Sequence, residues 1–281
     1  MNFHIFGRME MACVRDKFWM FGVKAHQDDV FFGNRNGRSL MKSRITPAEG
    51  AYMLDIPNMI MVGCDGVPAP YSEDAYGYAE SFLRMDKVLW SSAGSGGFRA
   101  GNEEDFIIKL SEKYPNICGA YMDDVMGMFP REGRAENLRR TIKQISEKLK
   151  SAPRPLELYM TWYAHEVGKV PDDVFDPVDG FMFFEWRSTD IPGQREHFEL
   201  LEKTYPNKKK MLGIYIFDFD GGYGVPVDLM EQQCELALEL LHAGRLDGVV
   251  VEANSTMGVG FPSEVWLREW LERHKNEEVP D

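Results

Sequence analysis

A single (β/α)8 barrel, the α/β fold in which eight parallel strands close into a ring inside a ring of helices, is predicted for this 281-residue chain by three features of its sequence. Eight short apolar runs recur along it, a helical stretch fits between almost every pair, and each run ends in a polar or acidic residue. The runs are Phe18 to His26, Met59 to Cys64, Lys87 to Ser91, Ile117 to Asp124, Leu156 to Tyr163, Gly180 to Glu185, Met211 to Asp218 and Gly248 to Glu252. They are short, rich in β-branched, aromatic and Met residues, and bounded by Gly, Pro, Asn or Asp, which favours buried strands over helices. An open doubly wound sheet is the competitor. Against it, no GxGxxG follows the first run, and the acidic ends are spread along the whole chain rather than gathered at one switch point.

The helices between the runs have identifiable starts and faces. Thr46-Pro47-Ala48-Glu49 joins a capping box to Pro at the first helical position and opens a helix to about Leu54. Ser72 to Met85 sets Tyr76, Ala79, Phe82 and Leu83 on one stripe, and Asn102 to Tyr114 does the same with Phe106, Ile107 and Leu110 before Pro115. Arg134 to Lys150 is the clearest, with Leu138, Ile142, Ile145 and Leu149 on a charged background. Pro192 to Lys203, Pro226 to Ala243 and Pro262 to His274 follow the sixth, seventh and eighth runs. The weakest link joins the fifth and sixth, where Pro171 to Pro177 leaves room for a short helical piece at best.

Barrels of this length are routinely one domain, and 44% hydrophobic with 27% charged residues supplies a large core, so residues 1–281 are taken as one unit with a flexible tail over about 275–281. A net charge of -13 argues against a nucleic-acid partner, whose phosphates need clustered Lys and Arg. Lys208, Lys209 and Lys210 form the one basic cluster and read as a solvated loop. Cys13, Cys64, Cys118 and Cys234 have no CxxC spacing and read as structural thiols. No leader-like segment opens the sequence and no apolar run approaches membrane length, so no membrane partner is expected and the cytoplasm is the default. Self-association into a homo-oligomer is compatible with this composition.

In such barrels the site forms at the carboxyl ends of the strands, which makes each polar run end a candidate. Lys24, His26 and Asp28 share one parity and would face the axis if the first strand runs straight to them. A Lys there needs a carboxylate, either Glu252 or an Asp of the fourth strand, because an unpaired buried charge costs several kcal/mol. Asp123-Asp124 carries the most weight, since it precedes a short loop, Val125-Met126-Gly127. Glu185 alternates with Phe181 and Phe183, Asp218 and Asp220 with Ile214 and Ile216, and Glu252 with Asn254. Carboxyls converging on one mouth repel one another, and the resulting spread of pKa values is what acid/base chemistry uses. Trp162, Tyr163, His165, Glu166 and Trp186 crowd the same rim; Trp162 and Trp186 are the best stacking platforms for a sugar, whose C–H faces lie on rings while its hydroxyls bond to Asp and Glu. Individual members of these sets can equally serve packing or loop capping.

Taken together, GAYMDDVMG, DGFMFFEWRS, GIYIFDFDGG and GVVVEANS resemble bacterial (β/α)8 barrel proteins of the glycoside hydrolase-like type, over most of the chain. The resemblance implies cleavage of a glycosidic bond in an oligosaccharide or other small glycoside by two carboxyl groups. Barrels similar to the α-amylase and α-galactosidase families place an Asp nucleophile after the fourth strand, the place of Asp124 or its neighbour Asp123. Their proton donor comes from the fifth or sixth strand, where Glu166 and Glu185 stand, and the α-amylase type also uses an Asp after the seventh, where Asp218 and Asp220 lie. Neither family's diagnostic signature is present, and Asp stands where other barrels carry Glu after the fourth and seventh strands. The resulting expectation has Asp123 or Asp124 as nucleophile or base, Glu185 as proton donor, Asp218 tuning the site, and Lys24, His26, Asp28, Trp162, Tyr163, His165, Trp186, Asp220, Glu252 and Asn254 binding substrate, without a cofactor. The rival is a divalent-metal hydrolase, isomerase or lyase ligated by His26, Asp28, Asp124, Glu185, Asp218 and Glu252, although neither HxH nor HExxH occurs. A third reading is an inactive sugar-binding barrel.

Overall fold

A computed structural model describes residues 11–32 and 41–281. Its centre is a closed, all-parallel barrel of β1 (Phe18–Gly22), β2 (Asn58–Met61), β3 (Lys87–Ala93), β4 (Ile117–Met122), β5 (Glu157–Tyr163), β6 (Gly180–Phe184), β7 (Lys209–Tyr215) and β8 (Gly248–Glu252). Closure is direct: Glu252 of β8 lies in register with Phe21 of β1 on one side and with Tyr215 of β7 on the other. Among the described residues seven helices surround it: α1 (Pro47–Leu54), α2 (Glu73–Ser81), α3 (Glu103–Lys113), α4 (Arg134–Lys150), α5 (Gln194–Thr204), α6 (Val227–His242) and α7 (Pro262–His274). The expected capping box starts α1, with the Thr46 amide donating to Glu49 at 2.8 Å and the Glu49 amide to the Thr46 hydroxyl at 3.4 Å.

The β5–β6 link has no α-helix, in keeping with its prolines. A 3-10 turn, Asp172–Phe175, takes that position in the outer ring and buries Val174 and Phe175. Phe175 packs on Trp162 of β5, ring centroids 4.6 Å apart. The final residues are not a loose tail: Glu278–Pro280 pairs antiparallel with Met11–Cys13, Val279 is fully buried, and Lys17 holds Asp281 at 3.0 Å. Val279 packs with the apolar cluster under the helices.

Each strand is apolar on both faces, as parallel strands between a core and helices must be. One parity fills the barrel: Trp19, Phe21, Ile60, Leu89, Tyr121, Tyr159, Met182, Phe184, Met211, Tyr215 and Val250 pack together there. The other parity, including Met20, Trp90, Met160, Trp162, Phe181, Phe183, Ile214 and Val251, packs under the helices. Which parity faces inward decides which strand-end residues reach the mouth.

Candidate functional site

Asp123 and Glu252 continue the inward parity of β4 and β8, and both line a cavity of about 480 Å³ over the barrel axis. Asp28 joins them from the turn after β1, with the Ser255 hydroxyl donating to its carboxylate. Asp123 accepts from the Thr161 hydroxyl at 2.7 Å, the Tyr121 hydroxyl at 3.3 Å and the Asp124 amide at 3.1 Å. Even so, burial and then the charge of Asp124 push its carboxyl up to about 8. Asp28 is pushed up to about 6, chiefly by burial and further by Asp29, against the Ser255 hydrogen bond. Glu252 is open to the cavity but enclosed by protein; burial, then Asp123, Asp28 and Asp124, raise it well above the carboxylate range, while the Tyr215 hydroxyl pulls the other way. Three acids that oppose each other's ionisation therefore share this floor.

Neighbours along a strand point to opposite faces, yet Asp123 and Asp124 both reach the mouth. The break is Asp124 itself, in the left-handed region at φ 46°, a conformation Asp tolerates better than most residues. Its carboxylate accepts from the Gly96 amide at 2.9 Å and from the Tyr163 hydroxyl at 2.9 Å. The Gly96 donor is presented by consecutive glycines with positive φ, Gly96 at 68° and Gly97 at 73°; a Cβ on Gly97 would lie 2.4 Å from the Met128 side chain. Asp124 is thus a carboxylate held in one orientation.

Beside the axial cavity, a second one of about 530 Å³ opens between the loops after β3, β4, β5 and β6. Asp124, Tyr163 and Trp186 line both. The outer lobe adds His165, Glu166 and Arg187. Glu166, in the 3-10 turn Ala164–Glu166, is raised to about 7 by burial, with Asp124 adding to the shift and the Tyr163 amide, 3.3 Å away, opposing it. His165 stacks on Tyr163, centroids 5.6 Å apart at 15°, and burial followed by Lys169 lowers its pKa. Trp186 is 42% exposed and stands edge-on to Tyr163. An oriented carboxylate, a carboxyl that keeps its proton near neutral pH and an open aromatic face meet in one cleft, the ingredients of acid/base chemistry on a ligand with polar edges and apolar faces.

Asp28, Asp123, Asp124, Tyr163, His165, Trp186, Asp220 and Glu252 are brought to this cleft, and other predicted site residues are not. Glu185 has the outward parity of Phe181 and Phe183; it is 2% exposed and accepts from His197 Nδ1 of α5 at 2.8 Å, behind the barrel wall. Asp218 lies beyond β7 and caps a loop, accepting from the Ser188 amide at 2.9 Å, the Ser188 hydroxyl and the Gly221 amide at 2.7 Å. Burial works to raise its pKa, but those bonds together hold it below the ordinary value. Trp162 is fully buried between Phe175 and Phe181, so it is no stacking platform. Asn254 is a buried clamp, accepting from the Val23 amide at 2.8 Å and donating to the Val23 and Ile45 carbonyls.

Because β1 ends at Gly22, Lys24 and His26 leave the axis. Lys24 Nζ lies 3.5 Å from Asp65, rather than on Glu252 or an Asp of β4, and His26, at φ 67°, turns its Nδ1 to Asp29 at 2.9 Å on the rim. The cation-ligand set built on His26, Glu185 and Asp218 is therefore not assembled, and among the described residues no three His, Cys, Asp or Glu side chains are grouped to hold a metal ion. Tyr215 and Cys64 line the axial lobe without having been singled out. Inward parity was their signal. Burial and the neighbouring Asp123 raise the Cys64 thiol, which leaves it a poor nucleophile.

No family model matches the chain, and no curated protein matches it in sequence. Solved structures do match in shape. A family 51 α-L-arabinofuranosidase from Bifidobacterium longum superposes with TM-score 0.60 at 7% identity, over 96% of this chain and 75% of that one. A proposed α-L-fucosidase from Bacteroides thetaiotaomicron gives 0.55 at 11% identity, over 96% and 99% of the two chains. The GH99 endo-α-mannosidase from the same organism gives 0.55 at 8%, over 92% and 97%. An aldolase shares the barrel as well. At these identities the likeness is one of fold: the (β/α)8 barrel that glycoside hydrolases have in common with other enzymes. No helix among the described residues is long and apolar enough to cross a membrane.

Proposed function

We propose that the protein is a glycoside hydrolase in which Asp124 is the nucleophile or base and Glu166 the proton donor. One observation carries the reading: a carboxylate fixed by two hydrogen bonds shares a cleft with a carboxyl whose pKa is raised to about 7. A carboxyl raised to about 7 is suited to donate a proton, and a hydrogen-bonded carboxyl beside it to attack or to position water. Glu166 replaces Glu185 as donor because it opens to the cleft. Trp186 offers its face to the sugar, while Asp28, Asp123, Asp220 and Glu252 bind hydroxyls or balance charge, and no cofactor takes part. The glycosidases among the structural neighbours support the class, although the aldolase shows that the barrel alone does not choose it.

In the reaction the glycosidic C–O bond breaks, the Glu166 proton passes to the leaving oxygen, and water adds its hydroxyl to the anomeric carbon while its other proton goes to the carboxylate acting as base, Asp124 in an inverting course and Glu166 in a retaining one. The test is a screen of 4-nitrophenyl glycosides with the parent and with Glu166→Gln. The variant is expected to lose about 10²- to 10⁴-fold on sugar leaving groups and to recover most of that on dinitrophenyl glycosides, which leave without protonation. Equal losses on both substrates would remove Glu166 as the acid. An active parent insensitive to Asp124→Asn would remove the nucleophile or base. The first-formed anomer, read by NMR, separates retention from inversion.

A further inference from the structure

We propose that the axial lobe receives a single terminal sugar ring and the outer lobe its leaving group, so that the enzyme works inward from chain ends. This rests on the glycosidase reading. The two lobes meet at Asp124, Tyr163 and Trp186, but their other acids are unequally shared: Asp28, Asp65, Asp123, Asp220 and Glu252 line only the axial lobe, and Glu166 and Asp190 only the outer one. As the glycosidic bond breaks, positive charge develops on the ring that is left, while the departing oxygen needs a proton. A positive charge beside crowded acids favours their ionised forms, and the hydrogen-bonded Asp124 stands at the junction, so the ring belongs over the acidic floor and the departing oxygen beside Glu166.

The walls then set the length of what can enter. Beneath the floor, Trp19, Tyr159 and Met211 fill the barrel and leave no exit. On the rim, Arg187 of the loop after β6 holds Asp220 of the loop after β7 at 3.0 Å, next to Trp186. Across the rim Lys24 lies 3.5 Å from Asp65, and Phe31 stands edge-on to Phe219 at 5.6 Å. A sugar chain can therefore present its end to the axial lobe but cannot thread through it.

For the sugar accepted as a 4-nitrophenyl glycoside, a tetrasaccharide of that sugar is to be compared with the same compound blocked at its non-reducing end by a benzylidene acetal. Stepwise release of monosaccharide, with the blocked compound slower by about 100-fold or more, is the expected result. Internal fragments as first products, or equal rates for both compounds, overturn the proposal while leaving glycosidase action standing. No turnover of any glycoside removes that action and the proposal with it. Calorimetry with the free monosaccharide supplies a second readout. Glu252→Gln and Asp28→Asn are each expected to weaken its binding by about tenfold, and His165→Ala by less than about twofold; the reverse ranking places the ring in the outer lobe and overturns the assignment.

Discussion

Asp123 and Glu252 end their strands pointing into the barrel, whereas Glu185 ends its strand pointing out towards His197, and Asp218 sits past its strand capping Ser188 and Gly221. All four are acids following an apolar run. The inward pair share a dielectric-poor bowl with Asp28, and their pKa values rise through burial and then the charge of neighbouring acids, Asp124 for Asp123 and Asp123, Asp28 and Asp124 for Glu252. Asp218 is also buried, yet donors surround it and its pKa falls. Burial alone therefore does not mark a reactive carboxyl. What surrounds it, like charges or hydrogen-bond donors, sets the sign, and the direction of the side chain sets the surroundings.

The widest contrast lies in activity. Asp124→Asn is expected to lower kcat by about 10²- to 10⁴-fold, while Glu185→Gln, acting behind the wall, changes it by less than about threefold. Steady-state kinetics on whichever aryl glycoside is turned over gives the answer, with circular dichroism to confirm that both variants fold. A collapse of kcat in a folded Glu185→Gln enzyme would restore the sixth strand as the source of the acid and break the distinction.

The two tryptophans repeat the contrast in stability. Trp162→Ala empties a site walled by Phe175 and Phe181, and large-to-small changes of this kind cost about 3–5 kcal/mol. Trp186→Ala removes an exposed ring, and its expected cost is within about 0.5 kcal/mol. Urea unfolding measures both. Substrate affinity is expected to fall only in Trp186→Ala.

The eight strands were legible because parallel strands between a core and helices are apolar throughout and stop at polar residues. Direction was not, for the same reason: with Phe181 and Phe183 on one face of β6 and Met182 and Phe184 on the other, hydrophobicity does not say which face is inside. Trp162 and Glu185 were placed in the mouth on that ambiguity. Lys24, His26 and Asp218 were misplaced on the same ambiguity, since they share the outward parity of Met20 and Ile214, and β1 and β7 end before them besides. Tyr163 and Trp186 were recognised because position alone puts them at the rim. Asp124 reaches the mouth through a left-handed turn that no sequence period encodes.

The pH dependence of stability separates the two kinds of acid by sign. Asp123 in the folded chain titrates at about 8, far above the ~3.9 of an unfolded Asp. A raised pKa means the folded state holds the proton more tightly, so its contribution is complete below the unfolded value and is lost as pH rises towards 8. The loss has a limiting slope of about 1.4 kcal/mol per pH unit. Asp123→Asn removes it, so the stability of the parent relative to this variant is expected to decline between pH 5 and 8. Asp218, with its pKa lowered, contributes above the unfolded value and loses that contribution as pH falls, so Asp218→Asn is expected to flatten the acid limb instead. Urea titrations across pH 3 to 9 report both, and parallel curves for the parent and Asp123→Asn would show that Asp123 does not carry a raised pKa.

The smallest effect belongs to the ion pair on the rim of the axial lobe. Arg187 and Asp220 are about half exposed, and such pairs contribute roughly 0–1 kcal/mol, because water screens the attraction and ordering two flexible side chains opposes it. Asp220→Asn is therefore expected to move the urea midpoint barely beyond error. Its consequence should appear in selection, since the pair joins the loops after β6 and β7 beside Trp186 and helps wall the axial lobe against a chain that would run on past it. Loosening it is expected to raise the rate on the end-blocked tetrasaccharide relative to the intact one. A ratio that stays fixed while stability falls by several kcal/mol would make the pair a structural brace, and the limit on chain length would then rest on the other contacts across the rim.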